Sequence, residues 1–102
     1  MPKGGVIAAF RTRPSVDTVR EFEALYAEMS EIVSAMPGYA GHKVFRAADG
    51  ELVVVAEWRD KAAFAAWDEH PDHKRAKELG KAYLLDAFDV AVGEVFEHHH
   101  KP

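Results

Sequence analysis

Trp67, His70 and His73 stand at three-residue spacing in "AAFAAWDEHPDHKRAKELGKAY", residues 62–83, with Pro71 between the two histidines. Two imidazoles beside a large aromatic suit two chemistries, general acid–base catalysis near neutral pH or metal ligation. Proline decides between them. At the first position of a helix its missing N–H costs nothing, and Asp72 in the first turn complements the helix dipole. The stretch therefore divides into a helix end and a helix start, with His70 at the N-cap. Two histidines three apart on one regular helix would share a face, but Pro71 breaks that regularity, and a third ligand would have to come from Asp72 or His42. No metal site is expected. A neutral imidazole near a helix N-terminus has its pKa pushed down and can serve as a base. His73, inside the third helix, is the first candidate for that role and His70 the second. Trp67 follows Phe64 by three residues, so both project from one helical stripe toward the rest of the fold.

His42 alternates with Val44 and Arg46 along an extended stretch, while Lys43 and Phe45 take the other face. On the helix side of a sheet, His42 would orient a phenolate or carbonyl, and Arg46 and Arg11 would stabilise an enolate oxygen. Tyr83, Phe64 and Trp58 complete the expected binding surface, Tyr83 as a further hydroxyl and the other two as aromatic walls.

The elements that must carry these residues are readable from pattern. Val6 to Arg13 reads as a strand ended by Pro14. Ser15 is an N-cap candidate, and Val19, Phe22, Leu25, Met29, Ile32 and Met36 recur at helical spacing until Pro37-Gly38. Tyr39 to Ala47 and "ELVVVAEWR" form a hairpin about Asp49-Gly50. Asp60 caps a second helix, Pro71 starts a third that Gly80 closes, and "DAFDVAVGEVFE" is the last strand. The order is β-α-β-β-α-(α)-β, an α+β ferredoxin-like split pattern with a four-stranded antiparallel sheet. In "ELVVVAEWR", Leu52, Val54, Ala56 and Trp58 make one face apolar, and Val53 and Val55 the other. Helices of one small chain cover only one face, so the second calls for a homodimer with sheets face to face.

At 102 residues the chain fits one domain, expected over 1–97 with a His-rich tail at 98–102. A formal charge of −4 argues against nucleic acid as a partner. Cysteine is absent, which removes thiolate chemistry and disulfides. The start "MPKGGVIAAF" lacks the apolar stretch of a signal peptide and no apolar run approaches membrane-spanning length, so a cytoplasmic protein without membrane partners is expected.

"MPGYAGHKVFR", "DGELVVVAEWRDKAAFAAW" and "HPDHKRAKELGKAYLLDAFDVAV" together resemble the antibiotic biosynthesis monooxygenase family of dimeric α+β barrels. The resemblance covers nearly the whole chain. It implies a ligand cavity between helices and sheet, lined by a tryptophan at the position of Trp67. The family's members are similar to cofactor-free oxygenases of aromatic polyketides, quinol monooxygenases, haem-degrading enzymes and proteins with no known reaction. Haem-degrading relatives pair an asparagine on the first strand with that tryptophan and an iron-ligating histidine about ten positions later. This chain has no asparagine, and the tenth position after Trp67 is Lys77. The favoured expectation is a cofactor-independent monooxygenase. It would deprotonate a small aromatic, phenolic or quinol-type substrate and let it react directly with dioxygen. Trp67 would stack, His73 or His70 take the proton, and Arg46, Tyr83 or His42 hold the oxygen. The alternative is a small-ligand-binding or isomerase/cyclase-type barrel, with a haem protein behind it.

Overall fold

The computed structural model describes residues 4–102, so the first three positions of the expected 1–97 domain lie outside the described residues. Its elements run β1 (Val6–Pro14), α1 (Val19–Ser34), β2 (Tyr39–Arg46), β3 (Leu52–Trp58), α2 (Lys61–Asp68), α3 (Pro71–Leu79) and β4 (Leu85–Glu94). The four strands form one sheet in the order β2-β3-β1-β4, with every neighbouring pair antiparallel. This is the α+β ferredoxin-like arrangement read from the sequence.

Alternation along β1 places Val6, Ala8 and Thr12 against the helices and buries all three, while Ile7 and Arg11 face away and are exposed. The ladder fixes the faces of the other strands. Ala56 and Val54 of β3 pair with Ala8 and Phe10, and Val92 and Val90 of β4 pair with the same two residues from the other side. The core gathers on this helix side from Val6, Ala8, Met29, Val33, Trp58, Ala63 and Trp67. The opposite face carries Ile7, Ala9, Phe45, Val53 and Val55, and no helix among the described residues covers it.

The local signals hold at most junctions. Asp60 Oδ1 accepts from the Ala63 N–H at 2.9 Å, capping α2. Gly50 adopts φ +92°, and the Ala47 N–H donates to the Glu51 carbonyl at 2.8 Å to close the hairpin. Three details differ from the sequence reading. Ser15 caps no helix through its side chain; its hydroxyl donates to Asp86 Oδ1 at 2.5 Å, and a short 3₁₀ turn at Val16–Thr18 precedes α1. Gly80 does not stop the chain's winding, because its backbone stays right-handed (φ −60°) and runs on as a π-helical turn over Gly80–Leu84. A Cβ there would lie 3.3 Å from Leu85 Cδ1, a tight contact that the leucine side chain would have to ease. The last strand starts at Leu85 and ends at Glu94, earlier than expected, and no regular element follows it.

Gly38 ties α2 to the start of β2. Its φ is +80°, its carbonyl accepts from the Arg59 N–H at 2.7 Å, and a Cβ added there would meet Ala63 Cβ at 2.6 Å. Both the backbone conformation and the close approach require glycine. Gly38→Ala is expected to lower stability by about 2 kcal/mol or more, read as a shift of the urea midpoint. A midpoint equal to that of the parent chain would contradict this account.

Candidate active site

Between the helices and the sheet lies a cavity of about 430 Å³ whose wall is overwhelmingly apolar. Phe22, Tyr26 and Met29 of α1 form one side, Ala8, Val54 and Trp58 the floor, and Trp67 and His73 the wall from α2 and α3. On the remaining side β4 contributes Phe88, Val90 and Val92, which no helix covers and which stay 48%, 50% and 45% exposed. The cavity is therefore open toward β4. The sequence reading placed the last strand here without assigning its apolar residues to the site.

Trp67 is buried, and His73 lies flat against it with ring centroids 4.2 Å apart and planes 15° from parallel. The chain changes direction between Asp68 and Pro71, and the first turn of α3 places His73 against the end of α2. There His73 Nδ1 sits 3.2 Å from the Trp67 carbonyl oxygen. Because that oxygen only accepts, Nδ1 must carry the proton, which leaves Nε2 as the unprotonated nitrogen of the neutral ring. Burial, followed by the nearby Lys77 ammonium, pushes the His73 pKa down to about 4. Lys77 is held by Asp68, with Nζ–Oδ1 at 2.5 Å, and both residues border the cavity.

A second polar group comes from β2. Tyr39 pairs with Trp58, but the register then shifts, so that Gly41 pairs with Glu57 and His42 with Ala56. Ala40 is the extra residue of a β-bulge, and Gly41 accommodates it at φ +136°. In a regular strand Tyr39 and His42, three apart, would face opposite sides. The bulge brings both to the helix side, where Tyr39 Oη is hydrogen-bonded to His42 Nδ1. Tyr26 meets the His42 ring edge-on at 5.9 Å, and Tyr39 meets Trp58 at 5.8 Å. The Tyr26 hydroxyl is buried, with Ser30 as polar neighbour but no hydrogen bond of ordinary geometry. Trp58 Nε1 is also buried without an acceptor among the described residues. Phe64 packs edge-on against Trp58 at 5.0 Å.

Trp67, His73, His42, Phe64 and Trp58 thus all line one cavity. Four other expected residues do not. His70 spends its Nδ1 on the Asp72 N–H at 3.1 Å, the N-cap bond, and lies outside the lining. Tyr83 is exposed in the π-helical turn and donates to Glu21 Oε2 at 2.8 Å. Arg46 is exposed at the end of β2, beyond the cavity. Arg11, odd-numbered on β1, faces the helix-free side and pairs with Glu51 at 3.1 Å. Tyr39 and Tyr26 were the residues missed as site members. The glycine at position 41 was the available signal, since glycine inside a strand marks a bulge.

The His73 shift has a consequence for stability. Its folded pKa of about 4 lies below the ordinary 6.5, so the unfolded chain takes up the proton first as pH falls. This contribution is intact above pH 6.5 and is lost as pH drops toward 4. Between about pH 6.5 and 5 the parent chain should lose about 1 kcal/mol that His73→Phe, which keeps a ring on Trp67, does not lose. Urea titrations of both at each pH check this, and parallel losses would refute it.

The family model described as antibiotic biosynthesis monooxygenase matches residues 5–79. No match was found among the curated proteins. Among solved structures, the chain is similar to Rv0793 from Mycobacterium tuberculosis, with a TM-score of 0.81 at 22% identity, covering 94% of this chain and 99% of that one. SnoaB, a cofactor-independent oxygenase from Streptomyces nogalater, aligns with a TM-score of 0.76 at 21% identity, over 93% of this chain and 96% of that one. SO0527 from Shewanella oneidensis aligns at 0.80 and 12% identity, over 92% and 93% of the two chains. At these identities the likeness is one of fold.

Proposed function

The chain belongs to the antibiotic biosynthesis monooxygenase family, and on that premise we propose that it is a cofactor-independent monooxygenase of a small, flat phenolic or quinol-type compound. The observation that carries this reading is the apolar cavity of about 430 Å³ walled by the stacked Trp67–His73 pair. Such a space takes a planar ring, shields it from water on its walled sides and presents one unprotonated imidazole nitrogen. The likeness in fold to SnoaB, a cofactor-independent oxygenase, supports the same reading.

In the proposed reaction the substrate supplies the electrons. His73 Nε2 removes a proton from a phenol or from an activated ring methylene. Burial makes His73 a weak base, but the imidazolium forms beside the substrate anion, and that ion pair in an apolar setting offsets the weakness. The anion then reduces dioxygen. For a methylene carbon, one oxygen atom becomes the new carbonyl, and the other leaves as water with the two hydrogens lost from that carbon. His42 holds the oxygen on which charge develops.

Oxygen uptake with a panel of hydroquinones and anthrones tests this. His73→Ala and Trp67→Ala should each lower kcat/KM by about 100-fold or more, and the parent's kcat/KM should stay flat from pH 5 to 7, because His73 is already neutral there. Ligand quenching of tryptophan fluorescence without any oxygen uptake would replace this reading with that of a binding or isomerase-type barrel.

We also propose that the helix-free sheet face is covered by a second copy of the chain. Ile7 and Phe45 on that face are 38% and 48% exposed beside Val53 and Val55. Light scattering should give twice the chain mass, and Val55→Glu should halve it while leaving the far-ultraviolet circular dichroism unchanged. A monomeric parent chain would end this part of the proposal.

A further inference from the structure

Among the described residues, Tyr39 and His42 are the one hydrogen-bonded pair of titratable side chains that line the cavity together without a counter-charge between them. Their bond is built by the bulge at Ala40-Gly41 and enclosed by aromatic rings from α1 and β3. A strand that inserts a residue there loses a ladder pairing, and what it gains is this pair on the cavity side.

We infer that Tyr39 and His42 form a reversible hydrogen-bonding clamp for an oxygen substituent of the ligand, able to hold it as a hydroxyl or as a carbonyl. This rests on the reading of the cavity as a substrate site. The physical basis is that both members can donate and accept. When the Tyr39 hydroxyl donates to His42 Nδ1, His42 carries its proton on Nε2, and the pair presents a donor at Nε2 and a lone pair on Tyr39 Oη. When Nδ1 carries the proton and donates to Tyr39 Oη, the two exteriors exchange: Nε2 accepts and the phenol O–H donates. In passing between the two states Nε2 gives up one proton and Tyr39 Oη takes up one, by way of the bound ligand or solvent, so the outward pattern reverses with no net change in charge. A carbonyl oxygen only accepts, whereas a hydroxyl also has a proton to donate, so a fixed acceptor would face a lone pair in the carbonyl form and a fixed donor would leave the hydroxyl's own proton without a partner.

The surroundings keep the Tyr39 hydroxyl available for both roles. Burial first, and Tyr26 second, push Tyr39 up to about 12, so its hydroxyl stays protonated across the neutral range. Arg46, the cation nearest in sequence on the same face of β2, is exposed beyond the cavity. His73, by contrast, has its Nδ1 committed to the Trp67 carbonyl and offers a single fixed pattern. The proposed division of labour is a fixed acceptor from α3 and a reversible one from β2.

Three ligands of one shape test the clamp anaerobically through quenching of Trp58 and Trp67 fluorescence: 1,4-naphthoquinone, which only accepts, 1,4-dihydroxynaphthalene, and 1,4-dimethylnaphthalene, which does neither. Tyr39→Phe, which keeps the ring packing, and His42→Leu should weaken both oxygenated ligands about tenfold and leave the dimethyl compound within about twofold. His42→Gln, which again donates and accepts, should restore most of the loss. In ring-15N-labelled parent protein, the two His42 nitrogen shifts should exchange character between the quinone and the dihydroxy complexes. Equal weakening of all three ligands, no weakening, no binding by the parent chain, or identical His42 shifts in the two complexes would each overturn the clamp. Loss of the oxygenase reading is separately visible: the ligand discrimination would persist while no oxygen is consumed.

Discussion

The packing of Trp67 between α2 and the sheet is the contact on which the site depends. Its indole belongs to the same buried cluster as Val6, Ala8, Met29 and Trp58, so it anchors the end of α2 to β1, β3 and α1 at once. Its ring also provides the surface on which His73 lies, and its carbonyl orients the His73 ring. One residue thus closes the core, forms the cavity wall and sets the tautomer of the candidate base. Pro71 makes this geometry available by ending one helix and starting another, so that α3 leaves in a new direction with His73 against Trp67 at the end of α2.

The rest of the cavity follows from incomplete coverage. Three short helices cannot blanket a four-stranded sheet, and here β4 is left with Phe88, Val90 and Val92 half exposed on the helix side. Burying a large apolar side chain contributes about 1.5–3 kcal/mol, so leaving three uncovered is a substantial concession in a chain of 102 residues. The same constraint leaves Ile7 and Phe45 exposed on the opposite face. Both features are consequences of a small chain having too few helices for its sheet, and the two proposed occupants, ligand and second copy, answer one shortage.

Polar groups enter this apolar space in two different ways. His73 arrives through a helix start, with its direction set by a backbone carbonyl. Tyr39 and His42 arrive through a strand irregularity, with each setting the other's direction. The N–H of Trp58 is buried and has no acceptor among the described residues.

The sequence by itself determined the element order, the helix caps at Asp60 and His70, the turn at Asp49-Gly50 and the two apolar faces of β3. These follow from local chemistry: capping geometry, proline's lost N–H, glycine's freedom and strict alternation act over a few residues and can be read in any order. It also singled out Trp67 and His73, because a helix stripe and a proline break are local facts. Only the tertiary structure decided which candidates meet. His70, Tyr83, Arg46 and Arg11 each have plausible chemistry, but cap bonds, exposure and the parity of β1 take them elsewhere. Tyr39 joins His42 only because one inserted residue changes strand parity, and Phe88, Val90 and Val92 join the site only because no helix reaches them. Parity across a bulge and coverage of a sheet are properties of the whole packing, so no window of the sequence contains them.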